Sequence, residues 1–212
     1  MNAATQRGAV AGPAGALAIA VDEPAGPARG LALVCHPHPL HGGTLDNKVV
    51  QTLARAFVAL GYTSLRFNFR GVGGSEGVWD EGQGEIDDAL AVLQARRAPG
   101  QTLVLAGFSF GAYVASRVAA RLADGRATGG AAERLVLVGP AASRFDLAAV
   151  PADTLVIHGE SDDVVPLSAT LDWARPQSLP VVVVPGAGHF FHGQLPLLKT
   201  LVTRAFAPGA AT

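Results

Sequence analysis

A chain of 212 residues that is 49% hydrophobic and 16% charged is long enough to bury one sizeable core and too apolar for disorder. A net charge of -1 with scattered Lys and Arg argues against a nucleic-acid partner, and no apolar run nears the roughly 18 residues of a membrane span. The single cysteine, Cys35, excludes an internal disulfide framework and points to a reducing cytoplasm, so the expectation is one soluble cytoplasmic domain over residues 1–212.

Residues 1–14 are small and polar and read as a frayed or short edge segment. Ala14 to Val21 has the outline of a signal peptide, but Asp22-Glu23 and the turn cluster Pro24-Ala25-Gly26-Pro27 suit a first strand better. Leu17 to Glu23 and Leu31 to Cys35 are the first strands, and His36-Pro37-His38-Pro39-Leu40-His41-Gly42-Gly43 is a loop by its Pro and Gly content. A helix follows from Leu45 to Leu60, with Val49, Leu53, Phe57 and Leu60 on one face, Asp46 or Asn47 as cap and Gly61 as stop.

Tyr62 to Phe69 is a strand closed by the glycine loop Arg70 to Gly77. There the dinucleotide pattern G-x-G-x-x-G fails at Glu76, and no G-K-[ST] occurs anywhere, so no cofactor is expected. Glu81 to Arg97 is a helix with Ile86, Leu90 and Leu93 on its buried face. Thr102 to Ala106 is a strand that meets Gly107-Phe108-Ser109-Phe110-Gly111 and then a helix through Val114, Val118 and Leu122. Beyond a glycine-rich link, Arg134 to Val138, Thr154 to His158 and Val181 to Val184 are strands, the last two apolar without alternation and so expected to be covered on both faces. A helix holding Trp173 lies between those two, and Leu195 to Phe206 is the last helix. Strands alternating with helices give an α/β fold with a mostly parallel sheet and helices on both faces.

With 26 glycines, a bare G-x-S-x-G arises easily by chance, and the strand before it and helix after it carry the signal. In an open α/β sheet the working residues collect beyond the carboxyl ends of the strands. Three strand ends carry a hydroxyl, a carboxylate and an imidazole: Ser109, Asp162 and His189. The imidazole would take the proton of Ser109, and the carboxylate would hold the ring in the right tautomer. Asp163 or Glu160 could replace Asp162, and His192 competes with His189. The lead-in Pro185-Gly186-Ala187-Gly188 places His189 next to its strand end.

An attacked carbonyl also needs backbone N–H donors for its oxyanion. Phe110 supplies one. Pro37 and Pro39 have no N–H, which leaves His36, His38 and Leu40 for the other; His38 is the choice and Leu40 the alternative. His36, His38 and His41 also raise the reading of a metal-dependent hydrolase, although no carboxylate or cysteine accompanies them and the prolines restrict how the rings converge, so no metal is assigned. Asn68 and Arg70 are expected to brace their own glycine loop.

The segments His36 to Gly43, Arg66-Phe67-Asn68-Phe69-Arg70-Gly71, Gly107 to Gly111, His158 to Pro166 and Gly188-His189-Phe190-Phe191 together resemble the α/β-hydrolase superfamily over nearly the whole chain. The likeness is to its small, cap-less bacterial branch related to dienelactone hydrolases and simple esterases. That resemblance implies an eight-stranded sheet with an antiparallel first hairpin, of which seven strands are legible, and the roles of nucleophile for Ser109, orienter for Asp162 and base for His189. Dienelactone hydrolases proper use a cysteine nucleophile, and here Ser109 stands instead. Only Gly139 to Asp153 separates the strands between which relatives insert a lid, so the pocket should be open, edged by Leu40, Phe110, Trp79, Phe190 and Phe191, with Leu40 and Phe190 as substrate contacts. The expected partner is a small ester. The other reading is a hydrolase scaffold that binds a ligand without turnover.

Overall fold

The computed structural model describes residues 5–206. Its strands are β1 (Gln6–Gly12), β2 (Gly15–Asp22), β3 (Leu31–Cys35), β4 (Thr63–Phe67), β5 (Leu103–Phe108), β6 (Arg134–Val138), β7 (Leu155–Gly159) and β8 (Val181–Val184). Its α-helices are α1 (Lys48–Ala59), α2 (Gln83–Arg96), α3 (Phe110–Ala123), α4 (Leu167–Ala174) and α5 (Leu195–Ala205). The strands make one sheet in the order β1-β2-β4-β3-β5-β6-β7-β8, in which β1/β2 and β2/β4 are antiparallel and every other pair is parallel. This is an α/β-hydrolase sheet. Among the described residues no helix lies between β6 and β7, so there is no lid, and no helix is long and apolar enough to cross a membrane.

One expectation is sharpened and one needs correction. The segment read as frayed or a short edge holds an ordered seven-residue edge strand, β1, paired along its whole length with β2; residues 1–4 lie outside the described residues. Its largely exposed small residues bury too little apolar surface to signal a strand. β2 and β3 are consecutive in sequence but not neighbours in the sheet, because β4 lies between them. The correction concerns β8, which is half-buried with one exposed valine, Val183; it is an edge strand flanked only by β7, so its run of four valines does not mean cover on both faces.

The central strands β3 and β5 are wholly buried, and alternate residues feed two cores. On one face Leu33, Leu105 and Leu137 pack with α2 and α3; on the other Val34, Ala106 and Val136 pack with α1 and α5. Asn47 caps α1, its side-chain oxygen accepting from the N–H groups of Val49 and Val50 at 2.9 and 3.4 Å. Cys35 is buried at the end of β3, and burial pushes its thiol well above the ordinary range. The loop after β4 is held by two buried polar groups. Asn68 Oδ1 accepts from the Leu45 N–H at 2.8 Å, and the Arg70 guanidinium forms a two-pronged pair with Asp88 of α2, at 3.0 and 2.7 Å. The bonds to Asp88 hold the Arg70 pKa above the usual arginine value despite partial burial.

Because β3 to β8 are parallel, their carboxyl ends share one rim, and the loops leaving that rim carry the chemistry. Asp88 is fully buried, so Asp88→Ala leaves the Arg70 guanidinium with only the exposed Asp80, 3.8 Å away, as an acidic partner. That change is expected to cost about 3–5 kcal/mol. Thermal unfolding should then shift down by on the order of 10 °C; a shift of a degree or two would show the pair contributes little.

Candidate active site

Ser109 occupies the single-residue turn between β5 and α3, at φ 56° and ψ -118°. A non-glycine residue in that region carries strain of about 1–3 kcal/mol, which the surroundings must hold. The Ser109 N–H donates to the Val138 carbonyl at 2.9 Å, and the N–H of Ala112 returns to the Ser109 carbonyl at 3.0 Å. Neither flanking glycine could carry a side chain. A Cβ on Gly107 would sit 2.0 Å from the Gly111 carbonyl oxygen, and one on Gly111 would sit 2.2 Å from that of Cys35.

Asp162, on the loop after β7, accepts hydrogen bonds from three donors packed into one corner. Its Oδ1 takes the N–H groups of Val164 and Val165 at 3.0 and 2.7 Å, and its Oδ2 takes the His189 Nδ1–H at 2.7 Å. Burial alone would raise this carboxyl, but the hydrogen bonds from His189, Val165 and Val164 outweigh it and hold the group below the ordinary carboxylate range. With Nδ1 donating to Asp162, the His189 ring presents an Nε2 lone pair. The ring is buried against Phe108 at a centroid distance of 4.8 Å, with Phe190 edge-on at 5.1 Å. Gly139, at φ 49°, adjoins the ring, where a Cβ would make ordinary contact at 3.4 Å.

The competing residues stand elsewhere. Glu160 accepts from the Gly186 N–H at 2.9 Å, Asp163 is exposed, and His192 meets the outer ring Phe190 at 5.9 Å. A second imidazole, which sequence reasoning missed, lies behind the carboxylate. His158 on β7 places Nε2 3.4 Å from Asp162 Oδ2 while donating to the Val165 carbonyl at 3.0 Å, and its Nδ1 accepts from the Thr170 hydroxyl at 3.1 Å. Burial lowers its pKa, against the pull of the Val165 carbonyl and Asp162, so this ring is neutral. The residue opens the His158 to Pro166 segment in the sequence, but its position inside a strand gives it no role there, because a histidine in a strand looks like any core residue.

Ser109 and His189 both line a cavity of about 160 Å³ whose wall includes His38, His41, Phe110, Ala141, Arg144, Phe145, Val164, Val165 and Phe190. Among the described residues the backbone N–H groups of His38 and Phe110 donate to no acceptor, whereas that of Leu40 is taken by the His38 ring at 3.2 Å. His38 is wedged among Trp79, Phe110 and Phe145, at 4.5, 5.3 and 5.9 Å.

Leu40 does not line the cavity. It is 66% exposed on the 3-10 turn Pro39–His41, which buries none of its residues. Trp79 supports His38 and Phe110 from outside the cavity, and Phe191 is buried in the core. Phe190 does line the cavity and is partly exposed. Sequence reasoning missed Arg144 and Phe145, since the loop after β6 has no motif.

His36 bears on the metal reading. Its Nδ1–H donates to the Pro37 carbonyl at 2.6 Å and its Nε2 accepts from the Phe69 N–H at 3.1 Å. Both nitrogens therefore serve the backbone, tying the loop after β3 to the end of β4, and neither is available to a cation. Burial lowers its pKa to about 3, against the Pro37 hydrogen bond.

The family model described as serine aminopeptidase, S33, matches residues 36–146. A structure from Xanthomonas campestris, described as a member of the α/β serine hydrolases without lid, is 40% identical, with 97% of this chain and 94% of that one covered and a TM-score of 0.85. An α/β serine hydrolase homologue from Coxiella burnetii is 39% identical over 95% of this chain and 97% of that one, with a TM-score of 0.80. An uncharacterized protein of Rickettsia prowazekii is 34% identical over 177 residues, 76% of this chain and 71% of that protein.

The buried His36 makes a stability prediction. Its folded pKa lies below the ordinary imidazole value, so the unfolded chain takes up a proton that the folded one refuses, and stability present above about pH 6.5 is lost as pH falls towards 3. The slope from this one group is at most about 1.4 kcal/mol per pH unit. In urea unfolding across that range, His36→Asn should flatten the acid limb relative to the unmodified chain, whatever it does to stability at pH 8. Parallel limbs would mean that His36 charges freely in the fold.

Proposed function

The chain belongs to the α/β-hydrolase superfamily and is a serine hydrolase, and from that premise we propose that it cleaves carboxylic esters of short acids through an acyl-enzyme. The observation that carries this reading is the 2.7 Å hydrogen bond from His189 to Asp162, made beside a strained Ser109 that shares the cavity with His189.

Ser109 Oγ attacks the ester carbonyl as His189 Nε2 takes its proton, and Asp162 stabilises the imidazolium that forms. The N–H groups of Phe110 and His38, which have no acceptor among the described residues, suit the oxyanion. Collapse of the tetrahedral intermediate breaks the bond to the alkoxy oxygen, which leaves with the proton from His189. Water, deprotonated by the same nitrogen, then attacks the acyl-enzyme and releases the acid and free Ser109.

Two features favour an ester over the aminopeptidase substrate named in the family description. A free α-ammonium group brought out of water needs an anion, and among the described residues no carboxylate lines the cavity. The cavity of about 160 Å³ is also below the usual range of about 300–1,000 Å³ for small-molecule sites, which suits a short acyl chain.

Ser109→Ala is expected to lower kcat on para-nitrophenyl butyrate by about a thousandfold or more while the circular dichroism spectrum is retained. A fluorophosphonate should add one adduct to the unmodified protein, read by intact mass, and none to the variant. Equal turnover or equal labelling of the two would remove Ser109 from the mechanism. A protein that neither turns over esters nor takes the label would be a binding module on a hydrolase scaffold.

A further inference from the structure

Part of the cavity wall comes from the irregular loop between β6 and β7, through Ala141, Arg144 and Phe145. This loop is anchored. Phe145 stacks on Tyr113 with centroids 5.0 Å apart and meets Phe110 edge-on at 5.0 Å, Leu147 is buried in the core, and the N–H groups of Arg144 and Phe145 both donate to the Ala141 carbonyl, at 3.1 and 3.0 Å. The backbone that carries Arg144 is therefore held at the cavity, although the side chain itself reaches solvent.

Among the described residues the Arg144 guanidinium has no ion pair; Asp146, two positions on, faces Arg117 at 3.4 Å instead. Among the described residues that line the wall, Arg144 is also the one permanently charged side chain, and none is Asp or Glu. Asp163 precedes the wall residue Val164 in sequence but does not line the cavity. Burial above all, and then His41 and Arg144 nearby, disfavour the cationic form of the His38 ring. Aromatic walls with a single fixed charge lower the energy of an anion and raise that of a cation. The overall charge of -1 does nothing to create this local sign; it is set by which side chains the loop delivers.

We infer that the preferred ester carries an ionised oxyanion group, such as a second carboxylate, which Arg144 receives while the ester carbonyl sits at Ser109. The planar guanidinium fork matches such a group in a way an ammonium could not. This inference rests on the esterase reading above and narrows its substrate class to esters of dicarboxylic acids or of alcohols bearing an acid.

The test compares matched pairs of esters on the unmodified protein, Arg144→Gln and Arg144→Glu. For the acyl end the pair is para-nitrophenyl hexanoate and mono-para-nitrophenyl adipate, which differ by a terminal carboxylate. For the alcohol end it is phenyl butyrate and the butyrate ester of meta-hydroxybenzoate. The readout is the ratio of kcat/KM for the charged ester to that for its neutral partner. In at least one pair Arg144→Gln should lower the ratio about tenfold, the size of one charge-assisted hydrogen bond, and Arg144→Glu should lower it further. Added salt should lower the ratio of the unmodified protein and leave that of Arg144→Gln nearly still. The pair that responds identifies which end of the ester Arg144 holds. Ratios unmoved by both substitutions in both pairs, with the neutral esters still hydrolysed, would overturn this inference alone. Absence of turnover on every ester, with no phosphonate adduct on Ser109, would overturn the esterase reading and this inference with it.

Discussion

Two carbonyl oxygens lie where the side chains of residues 107 and 111 would otherwise be, and the absence of Cβ atoms there lets β3, β5 and α3 close on one another. This close approach sets the height and direction of Ser109. With any side chain at either position the helix would have to back away from the sheet, the turn would relax, and the hydroxyl would leave the rim where His189 waits. The strain at Ser109 persists because the backbone bonds to Val138 and Ala112 and the packing of α3 leave the turn no lower-energy alternative. The cavity wall follows from the same approach, since Phe110, the first residue of α3, is the ring on which His38 and Phe145 pack.

Three buried histidines show how partners decide what an imidazole does. His189 donates to a carboxylate and keeps a free lone pair towards the cavity. Carbonyl and N–H groups of the backbone saturate His36, which becomes a strut between two loops. His158 lies between a carbonyl and a hydroxyl, close behind Asp162, where it adds a neutral dipole to the corner that already holds the carboxylate by two N–H groups. In isolation the three side chains are chemically alike; low dielectric and fixed neighbours give them different work.

The missing lid has a structural counterpart. The loop between β6 and β7 is short, yet Phe145 and Leu147 plug into the face covered by α3, so it acts as a fixed wall rather than a cover. A fixed wall makes the position of a single arginine meaningful. On a mobile loop the same charge would average over solvent.

Much of this fold was legible from the chain alone. The buried strands announce themselves as continuous apolar runs, the helix ends as caps and glycines, and the turn at Ser109 as glycines spaced around a serine between a strand and a helix, because each of these is dictated by backbone sterics or local burial. The strand Gln6–Gly12 was not, since an exposed edge strand has no apolar face to reveal it, and neither was the outward turn of Leu40, which depends on how Pro39–His41 coils. Ser109, Asp162 and His189 could be named from their places at strand ends, but that His189 bonds Asp162 rather than Asp163 or Glu160 is settled only through space. The charge at Arg144 likewise emerges only when distant segments meet, and the role of His158, four residues before Asp162, only when β7 turns its ring behind that carboxylate. Local sterics write themselves into sequence order; electrostatic partnership depends on distance in the folded chain, and the tertiary structure alone decides that.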